Sequence, residues 1–176
     1  LIQEAEASLD AKITSVLLNI PANQCRLYSV SGSAQILSTD HKIRSTDIEK
    51  ALGKASKFER RKNEALVSMI PVMYYFGEQS SYEAPLNKTA YSIKVDVLAI
   101  TTTKKILYPY IRVVEGSGLD ILYVSINAYS AAKEVFDEAY LHDGAVLVDV
   151  GHHSSTISYF EDGFLKYVTL TAEGGY

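Results

Sequence analysis

The sequence predicts a mixed fold, in which a small α+β unit precedes an incomplete α/β layer. In residues 1–100, extended apolar runs surround one amphipathic helix in the order strand, helix, strand, strand. From Thr101 onward, apolar runs alternate with helical patterns, which is typical of α/β sheets. We therefore expect two modules, 1–100 and 101–176, and we expect residues 12 to 100 to fold around a core of their own.

The first strands are predicted before residue 40. A polar helical run at residues 1–12 leads into the strand KITSVLLNIP, which ends at Pro21. The segments CRLYSVSG and SAQIL form two short extended runs on either side of Gly32. The chain is expected to be a piece of a longer protein, because it opens within the helical run and stops just past a strand.

One helix is predicted inside the first module. Thr46 and Glu49 have the spacing of a capping box, in which both side chains accept hydrogen bonds from free amides at the start of the helix. One face of this helix is expected to pack on the sheet, because apolar residues recur along it at helical spacing. They are Ile48, Leu52, Ala55 and Phe58.

Two longer strands complete the first module. EALVSMIPVMYYFG contains Pro71, which cannot donate a ladder hydrogen bond, so a bend or bulge is expected there. YSIKVDVLAIT alternates cleanly and places Lys94 and Asp96 on the face opposite to its apolar residues.

The second module is predicted to alternate helices and strands. TTTKKILYPYIRVVEGSG is helical with an interruption near Pro109, and LDILYVS is a strand. NAYSAAKEVFDEAY is a second helix, and GAVLVDV is a strand of the kind that parallel sheets bury on both faces. GHHSS then forms a polar turn, and TISYF and FLKYVTL form a hairpin around EDG, because Asp-Gly tolerates positive φ.

Composition excludes several classes of protein. The net charge is -4 and the pI is about 5.6, so the chain lacks the basic excess of nucleic-acid-binding proteins, and no nucleic-acid partner is expected. No apolar run is long enough to cross a bilayer. Cys25 is the single cysteine, which excludes an internal disulfide and favours a reducing, cytoplasmic setting.

Taken in order, these segments resemble FtsA, the actin-like protein of the bacterial division ring, over nearly the whole chain. ITSVLLNIPANQ and STDIEKALGKA are similar to the start and the helix of the subdomain that this family inserts into its core, lettered 1C. APLNKTAYSIKVDVLAITT is similar to its last strand, and VEGSGLDILYVSINAYSAAKEVF to the elements that follow the return to subdomain 1A. The resemblance implies that residues 1–100 are the inserted subdomain. It implies that residues 101–176 are part of a ribonuclease H-like, actin-like ATPase core.

The resemblance also implies a function. The full-length protein is expected to be a cell division scaffold rather than an enzyme, helping to tether the FtsZ ring to the inner face of the cell membrane. Its expected partners are further copies of itself in a head-to-tail filament, FtsZ and other divisome proteins. Membrane contact would use a segment absent from this chain. A PilM-like pilus-assembly scaffold and an actin-superfamily sugar kinase or phosphatase remain alternatives, although no acidic catalytic residue can be named for such an enzyme.

The polar turn after GAVLVDV has a specific role in this resemblance. Actin-like proteins carry a second phosphate loop, roughly Asp-x-Gly-x-x-Thr-Thr-Asp, between a strand and a hairpin. The residues that match it are Asp149, Gly151, Ser154 and Ser155. ATP and Mg²⁺ are therefore implied ligands of the full-length protein. His152 and His153 replace the usual glycines and Thr156 replaces the second acidic residue, which predicts weak nucleotide binding and none by this chain alone.

The same turn allows other interpretations. His152 and His153 are potential metal ligands, but neighbours on a tight turn point apart and no cysteine or histidine cluster lies near them in sequence. Asp149 is also a residue type that caps a turn after a strand. A serine hydrolase is disfavoured, because GHHSS lacks the Gly-x-Ser-x-Gly elbow.

Two segments are candidate protein-contact surfaces. A basic cluster follows the predicted helix and consists of Lys57, Arg60, Arg61 and Lys62. Positive charge near the C-terminal end of a helix interacts favourably with the helix dipole, and it also suits a protein-contact surface. The aromatic run at residues 74–76 is expected to divide between core and surface by alternation, and Tyr74 and Tyr75 are its interface candidates.

Overall fold

In the computed structural model, which describes residues 2–175, nine strands pair into three sheets and five helices pack against them. The strands are β1 (Ser15–Ile20), β2 (Arg26–Gln35), β3 (Glu64–Phe76), β4 (Gln79–Ser81), β5 (Ser92–Thr103), β6 (Asp120–Ile126), β7 (Ala145–Val150), β8 (Ser155–Glu161) and β9 (Phe164–Thr171). The helices are α1 (Ile2–Leu9), α2 (Ser45–Ala55), α3 (Lys104–Gly116), α4 (Asn127–Val135) and α5 (Glu138–Asp143). None of these helices combines the length and the apolar character that crossing a membrane would require.

The largest sheet is antiparallel and has the strand order β2-β5-β3-β4. Along the chain, its strands and the helix between them follow the order β2, α2, β3 and β5. This is the predicted strand–helix–strand–strand order, with the short β4 added. The β3–β5 register shifts between Pro71 and Met73, so the irregularity predicted at the proline is confirmed. Lys94 and Asp96 lie on one face of β5, as the alternation predicts, and their side chains form an ion pair at 2.9 Å.

Helix α2 starts at a different residue from the one predicted. It begins at Ser45, and the amide of Arg44 donates a hydrogen bond to Oδ2 of Asp47 at 3.1 Å. The proposed capping pair of Thr46 and Glu49 is therefore wrong. Asp47 occupies the third helical position, where its short side chain reaches back to the first free amide.

A glycine brings α2 onto the sheet. Strand β2 runs without a break through Gly32, so the prediction of two short runs on either side of it is wrong. A Cβ at Gly32 would lie 2.0 Å from the carbonyl oxygen of Ala51 and 2.6 Å from the nitrogen of Ala55. Glycine is therefore required here for the close approach of helix backbone to strand backbone, rather than for a turn.

The second sheet changes the predicted division into modules. β1 pairs in parallel with β6, from Ser15 with Asp120 to Ile20 with Ile126. Residues 15–20 therefore join a strand that lies beyond residue 100, and the prediction that residues 12–100 form a unit of their own is wrong for this segment. A parallel pair needs a long connection, and here the whole β2–α3 segment supplies it.

The third sheet is an antiparallel meander of β7, β8 and β9. The prediction that β7 is buried on both faces is wrong, because Val146, Val148 and Val150 are 56%, 54% and 60% exposed. Within the described residues β7 pairs only with β8, so its β-branched residues stabilise the strand without being enclosed. The turn at Asp162 and Gly163 has positive φ at both residues, as the hairpin prediction requires.

The predicted helix NAYSAAKEVFDEAY is two helices, α4 and α5. Phe136 and Asp137 between them have extended backbone angles. Phe136 packs against the hydrophobic core, so burial of its ring outweighs continuation of the helix.

Two hydrophobic clusters stabilise the fold. One lies between α2 and the sheet and includes Ile43, Ile48 and Val95. The other is larger and combines the opposite face of β3 and β5 with β1, β6, α4 and the third sheet, through residues such as Ile100, Ile126 and Phe160. This second core draws on both sides of residue 100, so that position does not separate two independent cores.

Two glycine-to-alanine variants test the close contact at Gly32. Gly32→Ala should lower the free energy of unfolding by about 3 kcal/mol, because a methyl group cannot fit beside the α2 backbone. Gly53→Ala should leave it unchanged or raise it by up to about 1 kcal/mol, because Gly53 lies on α2 with no atom near the position of an added Cβ. Urea unfolding followed by circular dichroism measures both. Equal effects of the two variants would contradict the close packing at Gly32.

Candidate functional site

The candidate phosphate loop is a tight turn between β7 and β8. The amide of Gly151 donates a hydrogen bond to the carbonyl of Ser154 at 2.9 Å, which closes the turn. Asp149 lies near the end of β7, is exposed, and is opposite Thr156 in the ladder. The structure therefore brings the matching residues together, but on a strand that has one pairing partner among the described residues rather than at the centre of a sheet.

The segment after β9 packs across this turn. The hydroxyl of Ser155 is buried and donates to the carbonyl of Glu173 at 2.7 Å, and the amide of Gly175 donates to the carbonyl of Gly151 at 3.0 Å. A Cβ at Gly174 would lie 2.2 Å from the carbonyl oxygen of His152, so only glycine permits this contact. Two hydrogen bonds and one close backbone contact therefore fix residues 173–175 against the turn.

These contacts do not fit a phosphate cradle. Such a site needs amide and hydroxyl donors directed toward the anion. The Gly151 amide and the Ser155 hydroxyl are instead used within the protein, and the exposed rings of His152 and His153 lie with their centroids 4.2 Å apart. No group of three or more potential metal-ligating His, Cys, Asp or Glu side chains occurs in residues 2–175.

The basic cluster lies where α2 returns to β3, and its four side chains are exposed. Arg60 lies with its guanidinium carbon 5.7 Å from the ring centroid of Phe58, and that ring contacts the ring of Tyr28 on β2 at 5.1 Å. Phe58 therefore anchors the start of the cluster to the edge of the sheet.

A buried carboxylate beside this cluster was missed by sequence reasoning. The side chain of Glu64 is only 2% exposed, and its Oε2 accepts hydrogen bonds of 3.0 Å from the hydroxyls of Tyr28 and Thr101. Its Oε1 lies 3.0 Å from Nε of Arg26. Burial and the hydrogen bond to Glu64 both raise the pKa of Tyr28 above its ordinary value. A glutamate at the start of a strand gives no sequence signal for such a cluster, because all of its partners lie on other strands.

The aromatic run divides as the alternation predicts. Tyr74 and Phe76 are buried in the cluster beneath α2, whereas Tyr75 is 39% exposed and has the ammonium of Lys94 5.0 Å from its ring centroid. Tyr74 is therefore a core residue, and its assignment as an interface candidate is wrong. Tyr75 remains available on the polar face of the sheet.

This arrangement of sheets and helices defines a mixed α/β protein. Its fold is similar to that of a chain in the PilM-PilN type IV pilus biogenesis complex, with a TM-score of 0.53 over 99% of this chain and 48% of that one, at 13% identity. That likeness supports the actin-like fold implied by the sequence. No family model matches the chain.

The resemblance to FtsA is confirmed by comparison with curated proteins. The cell division protein FtsA of Bacillus subtilis strain 168 is 21% identical over 98% of this chain. The FtsA of Staphylococcus epidermidis is 26% identical over 93% of it. The chain spans 39% and 35% of the lengths of these two relatives, so it corresponds to well under half of an FtsA protein.

The geometry of the turn predicts how the histidines affect nucleotide binding. Replacing His152 and His153 with glycine in the full-length protein should tighten ATP binding and leave folding intact, because two bulky side chains are removed and the turn backbone can rearrange toward an anion. Titration calorimetry measures the affinity, and circular dichroism checks the fold. Weaker binding would mean that the histidines themselves hold the phosphate or a metal ion.

Proposed function

We propose that this chain is the protein-contact region of an FtsA-like bacterial cell division protein. The observation that carries the proposal is the similarity to FtsA across 98–99% of the chain in relatives from several bacteria. In this proposal, the segment from β2 to β5 with α2 is the inserted subdomain, and the flanking strands are parts of the actin-like core.

The proposed role is assembly rather than catalysis. Copies of the full-length protein associate head to tail through the inserted subdomain, because a heterologous contact propagates into a filament instead of closing a dimer. FtsZ and other divisome proteins are partners of the full-length protein, which works at the inner face of the cell membrane at the division site. Membrane attachment is assigned to residues outside this chain.

A weak nucleotide site accompanies this role. The self-contained turn at residues 151–154 supports low affinity for ATP in the full-length protein and none in this chain.

A PilM-like pilus scaffold is the second candidate, favoured by the fold shared with a chain of the PilM-PilN complex. Cellular position distinguishes the two roles.

The test is the position of the full-length protein in dividing cells. A fluorescent fusion should form mid-cell rings that disappear when FtsZ is depleted. Foci that track with pilus machinery and survive FtsZ depletion would support the pilus scaffold instead. A uniform cytoplasmic signal from a stable fusion would contradict both assignments.

Charge reversal in the basic cluster tests whether that cluster takes part in the filament contact. Reversing the charge at Arg60 and Arg61 in the full-length protein should weaken filaments and mid-cell recruitment, because both residues are exposed beside the sheet edge. Electron microscopy and the fluorescent fusion measure the two effects. Reversal at Lys12 and Arg112, exposed on the loop before β1 and on α3, is the matched control. Normal filaments with the Arg60 and Arg61 variant would remove these residues from the contact.

A further inference from the structure

Strand β2 has an unprotected free edge. It lies at one end of the sheet order, and no strand of the described part of the chain pairs with its outer side. Its ladder with β5 is regular from Arg26 to Gln35, without a register shift. Between these two residues the strand LYSVSGSA contains no proline and no charge. Sheets ordinarily protect edges with charges, prolines, bulges or short strands, and β4 at the other end of this sheet has only three residues.

One end of this edge opens into a groove between β2 and β9. The groove has a volume of about 340 Å³ and is lined by Asn23, Arg26, Tyr28, Lys166 and Tyr167 among others. Its two cations are partly exposed, and each is held in place by an acid, Arg26 by Glu64 and Lys166 by Asp162 at 3.0 Å. A polar end is therefore positioned beside the first residues of β2.

The other end of the edge carries uncompensated positive charge. A second groove of about 500 Å³ lies between the last residues of β2 and helix α2, with Leu37, Lys50, Gly53, Lys54 and Lys57 in its lining. Leu37 is 84% exposed. Lys50 pairs with Asp47, but Lys54 and Lys57 form no ion pair in the part of the chain that the structure describes. The groove at the end of β2 therefore offers the exposed apolar side chain of Leu37 and the two available cations of Lys54 and Lys57.

We propose that the free edge of β2 binds an extended acidic segment of a partner protein by strand addition. Main-chain hydrogen bonds form along Leu27–Gln35, an apolar side chain covers Leu37, and carboxylates face Lys54 and Lys57. This goes beyond assembly of a filament, because the occupant is a peptide segment of another protein rather than a second copy.

Charge disfavours a second copy as the occupant of this edge. Parallel pairing of two β2 strands places Lys54 and Lys57 of one copy beside the same lysines of the other, which is destabilising. Antiparallel pairing places them opposite Arg26 and Lys166, whose acids are already paired, so the two lysines gain no carboxylate partner. An acidic strand supplies carboxylates to both lysines.

The test uses the 176-residue chain and a fluorescein-labelled ten-residue peptide that alternates glutamate and valine. Fluorescence anisotropy should show saturable binding, and Lys54→Glu with Lys57→Glu should weaken it about tenfold or more, since each reversed ion pair contributes on the order of 1 kcal/mol. Lys12→Glu with Arg112→Glu changes the net charge equally and should leave the affinity unchanged. Equal losses for the two double variants would overturn the proposed site.

A second peptide separates strand addition from simple charge attraction. A peptide of the same length that alternates glutamate and proline carries the same charge but lacks half of the amide donors, and it should not bind measurably. Equal affinity for both peptides would overturn strand addition. Binding of phosphatidylglycerol vesicles but of neither peptide, lost on reversal of Lys54 and Lys57, would assign the cations to a membrane surface and also overturn the proposal. These results are independent of where the full-length protein lies in the cell.

Discussion

The pairing of β3 with β5 is the constraint on which the rest of the structure depends. These two strands run beside each other from Glu64 with Thr103 to Phe76 with Ile93. One face of the pair, with Val95 and Val97, builds the core beneath α2, and the opposite face, with Leu98 and Ile100, builds the core shared with β6, α4 and β8. Because one ladder supplies both cores, the segment from β2 to β5 is joined to its flanks by packing as well as by the chain.

The buried side chain of Glu64, with its partners Arg26, Tyr28 and Thr101, fixes the place where β2 meets that ladder. A buried carboxylate costs several kcal/mol unless it is paired and hydrogen-bonded. Here two hydroxyls and one guanidinium compensate it, and they come from β2 and β5. This pairing orients Arg26 toward the groove at the start of β2. Stability at the strand junction and the position of the Arg26 side chain at the groove therefore have the same origin.

Some local signals in the sequence predicted local structure. The alternation from Ile93 to Val97 in β5, the bulge at Pro71 and the Asp162–Gly163 turn each depend on residues within a few positions of one another, and each is confirmed. The capping pair of α2 and the single helix over NAYSAAKEVFDEAY were equally local predictions, and they are wrong. Pairings between distant segments were not predictable in this way. The partner of β1 lies about a hundred residues away, and Gly32 has the local pattern of a chain break although its role is contact with α2. At the candidate phosphate loop, the residues assigned from the family resemblance lie around one turn, and their role toward phosphate stays a prediction. The hydrogen bond from the Ser155 hydroxyl to Glu173 could not be predicted, because it depends on where the chain goes after β9.

The central claim is that both halves of the chain share one cooperative core, and native-state hydrogen exchange tests it most directly. The amides of Leu98 in β5, Ile126 in β6 and Phe160 in β8 lie in strands and belong to fully buried residues of the shared cluster. With one shared core, all three should exchange through the same global opening, with free energies that agree to within about 1 kcal/mol and have the same urea dependence. Exchange of Ile126 and Phe160 through a separate opening of much lower free energy, while Leu98 stays protected, would show that the C-terminal elements form an independent unit and would contradict the shared core.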